Sequence, residues 1–229
     1  MSSKAESWLQ TTLGYQFNDA HLLQQALTHR SCPGDNNERL EFLGDAVLDV
    51  VIAEVVFRSH ANAPEGDLSR LRSSLVKDTS LAELSTKLGV AEHLILGGGE
   101  RKSGVHRRES VRADALEAIF GAVYLDAGFE AARGVIERAF GERLSNLPSI
   151  SELRDPKTRL QEWSQSRGFG LPQYELVNVS GKAHQRKFEI SCSVGDGTTM
   201  TNGTGSTRRN AEQEAAERML AELAEDDTN

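Results

Sequence analysis

Hydrophobic residues recur at spacings of three and four through the first 146 residues, which predicts an almost entirely helical segment. Capping residues and glycines mark where its helices begin and end. The pattern places helix starts at Asp19, Asn37, Asp67 and Asp78, helix ends before Ala61 and at Gly89, and one more amphipathic helix over Phe129–Leu144. The glycine-rich stretch 97–104 is expected to be a flexible loop between helices.

The period changes after the segment 147–151, whose proline and serines are typical of a linker. Asp155 followed by Pro156 is a strong helix start, because aspartate caps and proline suits the first helical position. Three alternating stretches then predict strands over 174–179, 187–194 and 198–202, with a glycine-rich turn at 195–197. A last helix is predicted over 211–223. The order α-β-β-β-α indicates a second, self-contained domain.

Composition and charge narrow the class of protein. The 229 residues carry a formal net charge of −8, but residues 156–220 hold nine lysines and arginines against seven acids, so the second domain is mildly basic. Two distant cysteines and a first segment without an apolar core predict a reduced, cytoplasmic protein. The longest apolar run, 46–57, contains Asp49 and Glu54 and is too short to cross a bilayer, so no membrane contact is expected.

Carboxylates lie within the most apolar helices. Glu38, Glu41 and Asp45 share one face of the long helix that begins near Asn37. Asp114 and Glu117 share a face of a second apolar helix. Carboxylates in such helices are costly unless they pair with cations or bind metal, and an all-oxygen site suits Mg²⁺ or Mn²⁺.

The residues alone leave a second interpretation open. Acids at helical spacing usually form a solvated face or pair with nearby cations, and Arg39 and Arg112 are available for that. For Asp114 and Glu117 taken by themselves this interpretation is favoured, whereas for the first three acids the two interpretations are even. Asp49, Glu54 and Asp126 are interpreted as structural or exposed.

Two longer motifs resemble the ribonuclease III family. The first reads Asn-Glu-Arg-Leu-Glu-Phe-Leu-Gly-Asp over 37–45, and the second covers 108–121 with Asp114 and Glu117. The resemblance runs over almost the whole chain and implies an all-α N-terminal endonuclease domain followed by a small α+β (α-β-β-β-α) double-stranded RNA-binding domain. It implies a catalytic domain over 5–127, a terminal helix and linker over 128–153, and an RNA-binding domain over 154–224.

The same resemblance assigns the acids. It implies that Glu41, Asp45, Asp114 and Glu117 bind Mg²⁺, which Mn²⁺ can replace, and that Asp45 and Glu117 are the main catalytic residues. Two divalent ions about 3.5–4 Å apart can activate water and neutralise the leaving oxygen. Glu38 and Glu65 match further acidic positions of the family in supporting roles, although an ordinary loop acid beside Pro64 is a reasonable alternative interpretation of Glu65.

The C-terminal domain carries the second part of the resemblance. The implied RNA contacts are Thr158, Gln161, His184, Arg208 and Arg209. Cations in the first turn of a helix oppose the helix dipole, and a phosphate would relieve that cost. Recognition would follow the shape of an A-form duplex rather than its sequence. His184 can also be a loop-packing residue. Lys182 and Glu212 depart from the family pattern, which puts RNA affinity in doubt but not the fold.

The resemblance finally implies activity and assembly. Family members are homodimers that cut double-stranded RNA, leaving 5′-phosphate and 3′-hydroxyl ends with short 3′ overhangs, and process precursors of ribosomal, messenger and transfer RNA. Phe42 lies off the acidic face, so it is a candidate dimer-interface residue, with a monomer-core position nearly as plausible.

The alternative functions are a non-catalytic double-stranded RNA-binding protein and a helical nucleotide hydrolase. The complete acid set disfavours the first, and the RNA-binding domain disfavours the second.

Overall fold

The computed structural model of the chain describes residues 2–147, 154–182, 186–195, 197 and 199–226. The chain forms two compact units, Met1–Pro148 and Ser149–Asn229. The first unit is helical and the second is α+β, which confirms the predicted fold class. The junction between the units lies inside the predicted segment 128–153, whereas the finer limits 5–127 and 154–224 stay predictions.

The helical unit is organised around two long helices that pack against each other. Its elements are α1 (Ser2–Leu13), α2 (Ala20–Ala26), α3 (Glu38–Ser59), α4 (Glu65–Val76), α5 (Asp78–Leu88), α6 (Gly98–Ser103), α7 (Glu109–Phe140) and α8 (Glu142–Ser145), with 3₁₀ turns at Val90–His93 and Val105–Arg107. The α3 and α7 helices form the centre, and the side chains of Leu48, Ile52, Leu116 and Phe120 are fully buried. Gly128, with φ of 80°, divides α7 into two helical segments, as the separate prediction of a helix from Phe129 anticipated.

Several helix starts differ from the predictions. Asp19 caps α2 by accepting from the His21 amide, as predicted, but the Asn37 side chain makes no capping bond and Asn36 accepts from the Glu38 amide instead. The α4 helix begins at Glu65 rather than at Asp67, which is buried in the first turn. Asp78 is the first residue of α5 and not its cap. The glycine-rich stretch predicted as a loop contains the short α6.

The second unit consists of a helix, three antiparallel strands and a longer helix. These are α9 (Pro156–Ser166), β1 (Gln173–Ser180), β2 (Lys187–Val194), β3 (Thr199–Gly205) and α10 (Arg208–Asp226), with the strands in the order β1-β2-β3. Asp155 caps α9 through the Lys157 amide, as predicted. Both helices cover one face of the sheet over a core that includes Leu160, Cys192 and Met219. The α10 helix starts three residues before the predicted Ala211, which puts Arg208 and Arg209 in its first turn.

Candidate active site and nucleic-acid interface

Two glycines bring the acidic faces of α3 and α7 together. A Cβ atom on Gly44 would lie 1.8 Å from the Glu117 carbonyl oxygen, and one on Gly121 would lie 2.2 Å from the Leu40 carbonyl oxygen. No side chain fits at either position, so the two helices cross backbone against backbone. The acids that flank the crossing therefore lie side by side.

Three of these acids form a compact carboxylate cluster. Glu41, Asp114 and Glu117 each offer a carboxylate oxygen, and these oxygens lie within 4.8 Å of one another. All three side chains are half-buried. Asp45, one helical turn beyond Glu41, is more exposed and lies outside this tight group, but its charge reaches Glu117 and Glu41. The donor set consists of carboxylate oxygens alone, which fits a hard divalent cation such as Mg²⁺ or Mn²⁺.

The crowding of the carboxylates changes their acidity. Burial, followed by the charges of Asp45, Asp114, Glu41 and Asp78, raises the pKa of Glu117 from 4.5 to about 8. Burial and the neighbouring charge of Asp114 raise the pKa of Glu41 from 4.5 to about 6. Burial also raises the pKa values of Asp45 and Asp114. The cluster thus carries more negative charge than its surroundings stabilise, and a bound cation would offset it.

The raised pKa of Glu117 should make the stability of the metal-free protein depend on pH. Glu117 ionises near pH 4.5 when the chain is unfolded and near pH 8 when it is folded, so the folded state binds the proton more tightly. Raising the pH from about 5 to about 8 should therefore lower the free energy of unfolding, and Glu117→Gln should remove this loss. We expect the variant to be more stable than the wild type by on the order of 1–2 kcal/mol at pH 8, after allowance for solvent screening.

Thermal unfolding of both proteins in a chelating buffer at several pH values measures the difference. Saturating Mg²⁺ serves as the control, because a cation bound at the carboxylates should reverse the order of stability. Wild-type and variant curves that stay parallel from pH 5 to pH 8 would show that Glu117 titrates normally.

The two supporting acids occupy different places. Glu38 lies 3.6 Å from Arg30, and its negative charge, after burial and Asp114, helps to raise the pKa of Glu41. Glu65 instead lines a small pocket beside Ala53 and Val56. Ala53 is 12 residues along α3 from Glu41, or about 18 Å at the helical rise. Within one chain Glu65 therefore does not join the cluster, and its supporting role stays a prediction.

Sequence reasoning missed three charged residues around the cluster. Asp78, interpreted as a helix cap, raises the pKa of both Asp114 and Glu117 after burial. Arg30 lowers the pKa of Glu41 and Asp114, and Arg72 lowers that of Asp45, so these two cations border the acidic site. The residues come from different segments, and no local pattern in the sequence indicates that they converge.

The acids interpreted as structural do have structural partners. Asp49 lies 3.7 Å from Arg72, and Glu54 lies 2.6 Å from Arg133. Asp126 accepts hydrogen bonds from the Tyr15 hydroxyl at 2.6 Å and from the amides of Asn18 and Asp19. Arg39 and Arg112 make no ion pair among the residues that the structure describes, and Arg112 donates to Thr86 instead. Ion pairing with these two arginines therefore does not account for the cluster.

Four of the five predicted RNA-binding residues lie on the two helices of the second unit. Thr158 and Gln161 are exposed on α9, and Arg208 and Arg209 are exposed at the start of α10. His184 lies outside the described residues. Arg208 donates through Nε to Glu212 at 3.0 Å, and Arg209 lies 3.6 Å from Asp155. The domain therefore supplies a carboxylate partner for each arginine, and the expectation that both arginines also contact RNA phosphate stays a prediction.

Comparisons with known protein families find a match for each of the two units. The family described as "Ribonuclease-III-like" matches residues 19–144, and the "Double-stranded RNA binding motif" matches residues 156–223. Ribonuclease 3 of Alkalilimnicola ehrlichii is 51% identical over 94% of this chain and 94% of its own length. Ribonuclease 3 of Hahella chejuensis is 50% identical over 99% of this chain and all of its own length.

A solved structure is similar to the helical unit. It is the nuclease domain of ribonuclease III from Campylobacter jejuni, with a TM-score of 0.59 and 43% identity, over 61% of this chain and 98% of the domain. That nuclease domain shows structural flexibility in a region involved in dimer formation. Across the part of the present chain that the structure describes, no helix has the length and apolar character needed to cross a membrane.

Proposed function

The chain belongs to the ribonuclease III family, and from that premise we propose that Glu41, Asp45, Asp114 and Glu117 are the residues with which it hydrolyses double-stranded RNA. The protein is an endoribonuclease with a separate domain that binds double-stranded RNA. The observation that supports the site assignment is the cluster in which carboxylate oxygens from α3 and α7 lie within 4.8 Å of one another. Asp45 extends that cluster toward solvent, where a duplex has access.

The nuclease domain requires a divalent metal, and we propose that it is Mg²⁺, with Mn²⁺ as a functional substitute. Glu41, Asp114 and Glu117 would hold it, with Asp45 at the exposed side. When bound, a divalent cation supplies charge neutralisation at the phosphate and lowers the pKa of a bound water. Protons are released when these carboxylates bind metal, because Glu117 retains its proton up to about pH 8 without one.

The protein residues have separate roles in this proposal. Glu117 is the most strongly perturbed of the acids and lies directly at the backbone crossing, so its carboxylate is held in place by packing. Asp45 is exposed and its carboxylate can face the attacked phosphate. Arg30 and Arg72 border the acids and can orient the negatively charged backbone of the substrate. The substrate would therefore bind at a cluster of carboxylates that is bordered by two arginines.

The products and substrates follow from the same proposal. Hydrolysis by this class of enzyme should leave 5′-phosphate and 3′-hydroxyl ends with short 3′ overhangs. Structured precursors of ribosomal RNA, and some precursors of messenger and transfer RNA, are the proposed substrates. The free thiols of Cys32 and Cys192 support a proposed cytoplasmic location.

A direct test uses the full chain and a long, perfectly paired RNA. We expect cleavage with Mg²⁺ or Mn²⁺ and none in a chelator, with end-labelling and sequencing of the products to identify both termini. Single-stranded RNA of the same sequence is the control. Duplex binding without cleavage at any divalent metal concentration would favour the alternative, a non-catalytic double-stranded RNA-binding protein.

We also propose a homodimer formed by the helical unit. Phe42 is 80% exposed, Val50 56% and Phe57 68%, so a monomer-core position for Phe42, one of the two positions considered above, is wrong. The three side chains follow one side of α3, with Ala46 and Ala53 between them, and large apolar patches of this kind mark interaction surfaces. The similar Campylobacter nuclease domain has a region involved in dimer formation, which supports a second copy of this chain as the partner.

Phe42→Glu should convert the dimer to a monomer. A carboxylate at this position would be buried without a partner in the interface, and such burial costs several kcal/mol, so we expect dimer affinity to fall at least about a hundredfold. Light scattering of the full chain at micromolar concentration measures the state of assembly. Met200→Glu is the matched control, because Met200 is 58% exposed in the second unit. A Phe42→Glu variant that remains dimeric would place the interface elsewhere.

A further inference from the structure

Glu212 connects the two helices of the second unit through their basic side chains. One carboxylate oxygen of Glu212 accepts from Lys157 Nζ on α9, and the other accepts from Arg208 Nε on α10 at 3.0 Å. The Glu212 side chain is only 13% exposed, so the bridge is sheltered from solvent. Although burial raises it, the hydrogen bonds from Lys157 and Arg208 hold the pKa of Glu212 below its ordinary value.

The contact leaves the outer part of Arg208 available. The side chain of Arg208 is 61% exposed, and its described contact with Glu212 uses Nε alone. An arginine offers five N–H donors in a planar fork, so both Nη groups remain able to donate to a phosphate. Glu212 therefore fixes the guanidinium without occupying the donors that RNA would use.

Lys157, unlike Arg208, directs its charged group toward other residues of the domain. Its Nζ atom lies 4.5 Å from the centre of the Tyr174 ring as well as against Glu212, so this cation serves contacts inside the domain. A second link joins the same helices, because Asp155 caps α9 and also accepts from Gln213 Nε2 at 2.7 Å. The starts of α9 and α10 are thus held together at two adjacent points.

We infer that Glu212 is a positioning residue for duplex RNA recognition, an inference that rests on the RNA-binding function proposed above. It fixes Arg208 and holds α10 against α9, which carries Thr158 and Gln161. An A-form duplex presents a minor groove and phosphates at a fixed separation, so contacts on the two helices must keep a fixed relation. A preorganised pair of surfaces binds more tightly because less freedom is lost on binding.

A purely electrostatic role predicts the opposite result. If Glu212 only competed with phosphate for Arg208 and Lys157, its removal would add one positive charge to the RNA-facing surface. Duplex binding would then become tighter and its salt dependence steeper. The direction of the change in affinity therefore separates positioning from competition.

The test compares five variants of the full chain with the wild type: Glu212→Ala, Glu212→Gln, Arg208→Ala, the double variant Glu212→Ala with Arg208→Ala, and Glu217→Ala. Glu217 is an exposed acid on the same helix, so its variant controls for the loss of one negative charge. Duplex affinity is measured in a chelator, which prevents cleavage, over a series of salt concentrations. Circular dichroism and thermal unfolding establish which variants are folded at the assay temperature.

We expect Glu212→Ala to weaken duplex binding by about 3–10-fold and to lower the salt slope by up to about one, as Arg208→Ala does. Glu212→Gln, which can accept from only one of the two cations, should lie between Glu212→Ala and the wild type. Glu217→Ala should bind at least as tightly as the wild type. Because part of the effect of Glu212 acts through Arg208, the losses of the two single variants should not add fully in the double variant, whereas independent losses would add.

Wild-type or tighter binding by Glu212→Ala would overturn the inference, and so would losses that add fully in the double variant. If Glu212→Ala fails to fold, Glu212→Gln carries the same comparison, including its own double variant with Arg208→Ala. A wild-type chain that does not bind duplex RNA would contradict the proposed function itself, and an Arg208→Ala variant with unchanged affinity would contradict the proposed RNA contact. These failures are distinct from a failure of the positioning role.

Discussion

Glu117→Gln should abolish RNA cleavage while leaving duplex binding almost unchanged. The substitution keeps the shape of the side chain but removes the carboxylate that is most strongly perturbed by burial and by its acidic neighbours. Loss of one metal-binding charge from the transition state is expected to cost about 4 kcal/mol, or about a thousandfold in rate. Binding should persist because the residues proposed to contact RNA belong to the second unit.

Gel-shift and single-turnover cleavage assays on the same duplex measure the two properties separately. Glu137→Gln is the matched control, because Glu137 is an exposed acid on the same long helix, 20 residues from Glu117. Its cleavage rate should match that of the wild type. If Glu117→Gln cuts at the wild-type rate in millimolar Mg²⁺, the cluster is not the catalytic centre.

Gly44→Ala should have the second largest effect, because it forces the two central helices apart. The added Cβ atom would lie 1.8 Å from the Glu117 carbonyl oxygen and 2.9 Å from the Gly121 amide nitrogen. Backbone atoms in two packed helices cannot give way as a flexible side chain would, so we expect a loss of about 3 kcal/mol or more in unfolding free energy. A displacement of Glu117 by about 1 Å would also lower the cleavage rate by about a hundredfold.

Urea unfolding and cleavage rates under folded conditions test both effects. Gly66→Ala provides the control, since its Cβ atom would meet only the end of the Arg70 side chain at 3.8 Å. Gly66 lies within α4 at an ordinary φ, so alanine there should be neutral or stabilising by up to about 1 kcal/mol. Equal stabilities for the two alanine variants would show that the helices do not cross at Gly44.

The pattern of the sequence was sufficient to predict the class of both units. The helical period through residue 146 and the change to alternating strands after residue 173 arise from side-chain direction, which depends on near neighbours in the chain. The same reasoning put Glu41 with Asp45, and Asp114 with Glu117, on single helix faces. Helix starts were less accurate at Asp67 and Asp78, because several adjacent polar residues can precede a helix and only backbone geometry selects one.

Residues from separate segments could not be placed in this way. The sequence did not indicate that the charge of Asp78 would raise the pKa of Glu117. It also did not indicate that Glu65, on α4, would lie beside a part of α3 distant from the cluster. It also did not indicate that Arg208 and Arg209 would find Glu212 and Asp155 as internal partners. Each of these relations depends on how whole helices pack, which local patterns in the sequence do not specify.

The residue pattern was enough to predict which residues share a helix face, the order of the main helices and strands, and the family motifs, but it predicted a loop where the short α6 lies. The tertiary structure decided how close the two acidic faces come, since Gly44 and Gly121 permit the backbone contact that brings Glu41, Asp114 and Glu117 together. It also decided that Phe42 is exposed rather than buried. The physical reason is range: periodicity and capping act within a few residues, whereas burial, separation and electrostatic coupling depend on long-range packing.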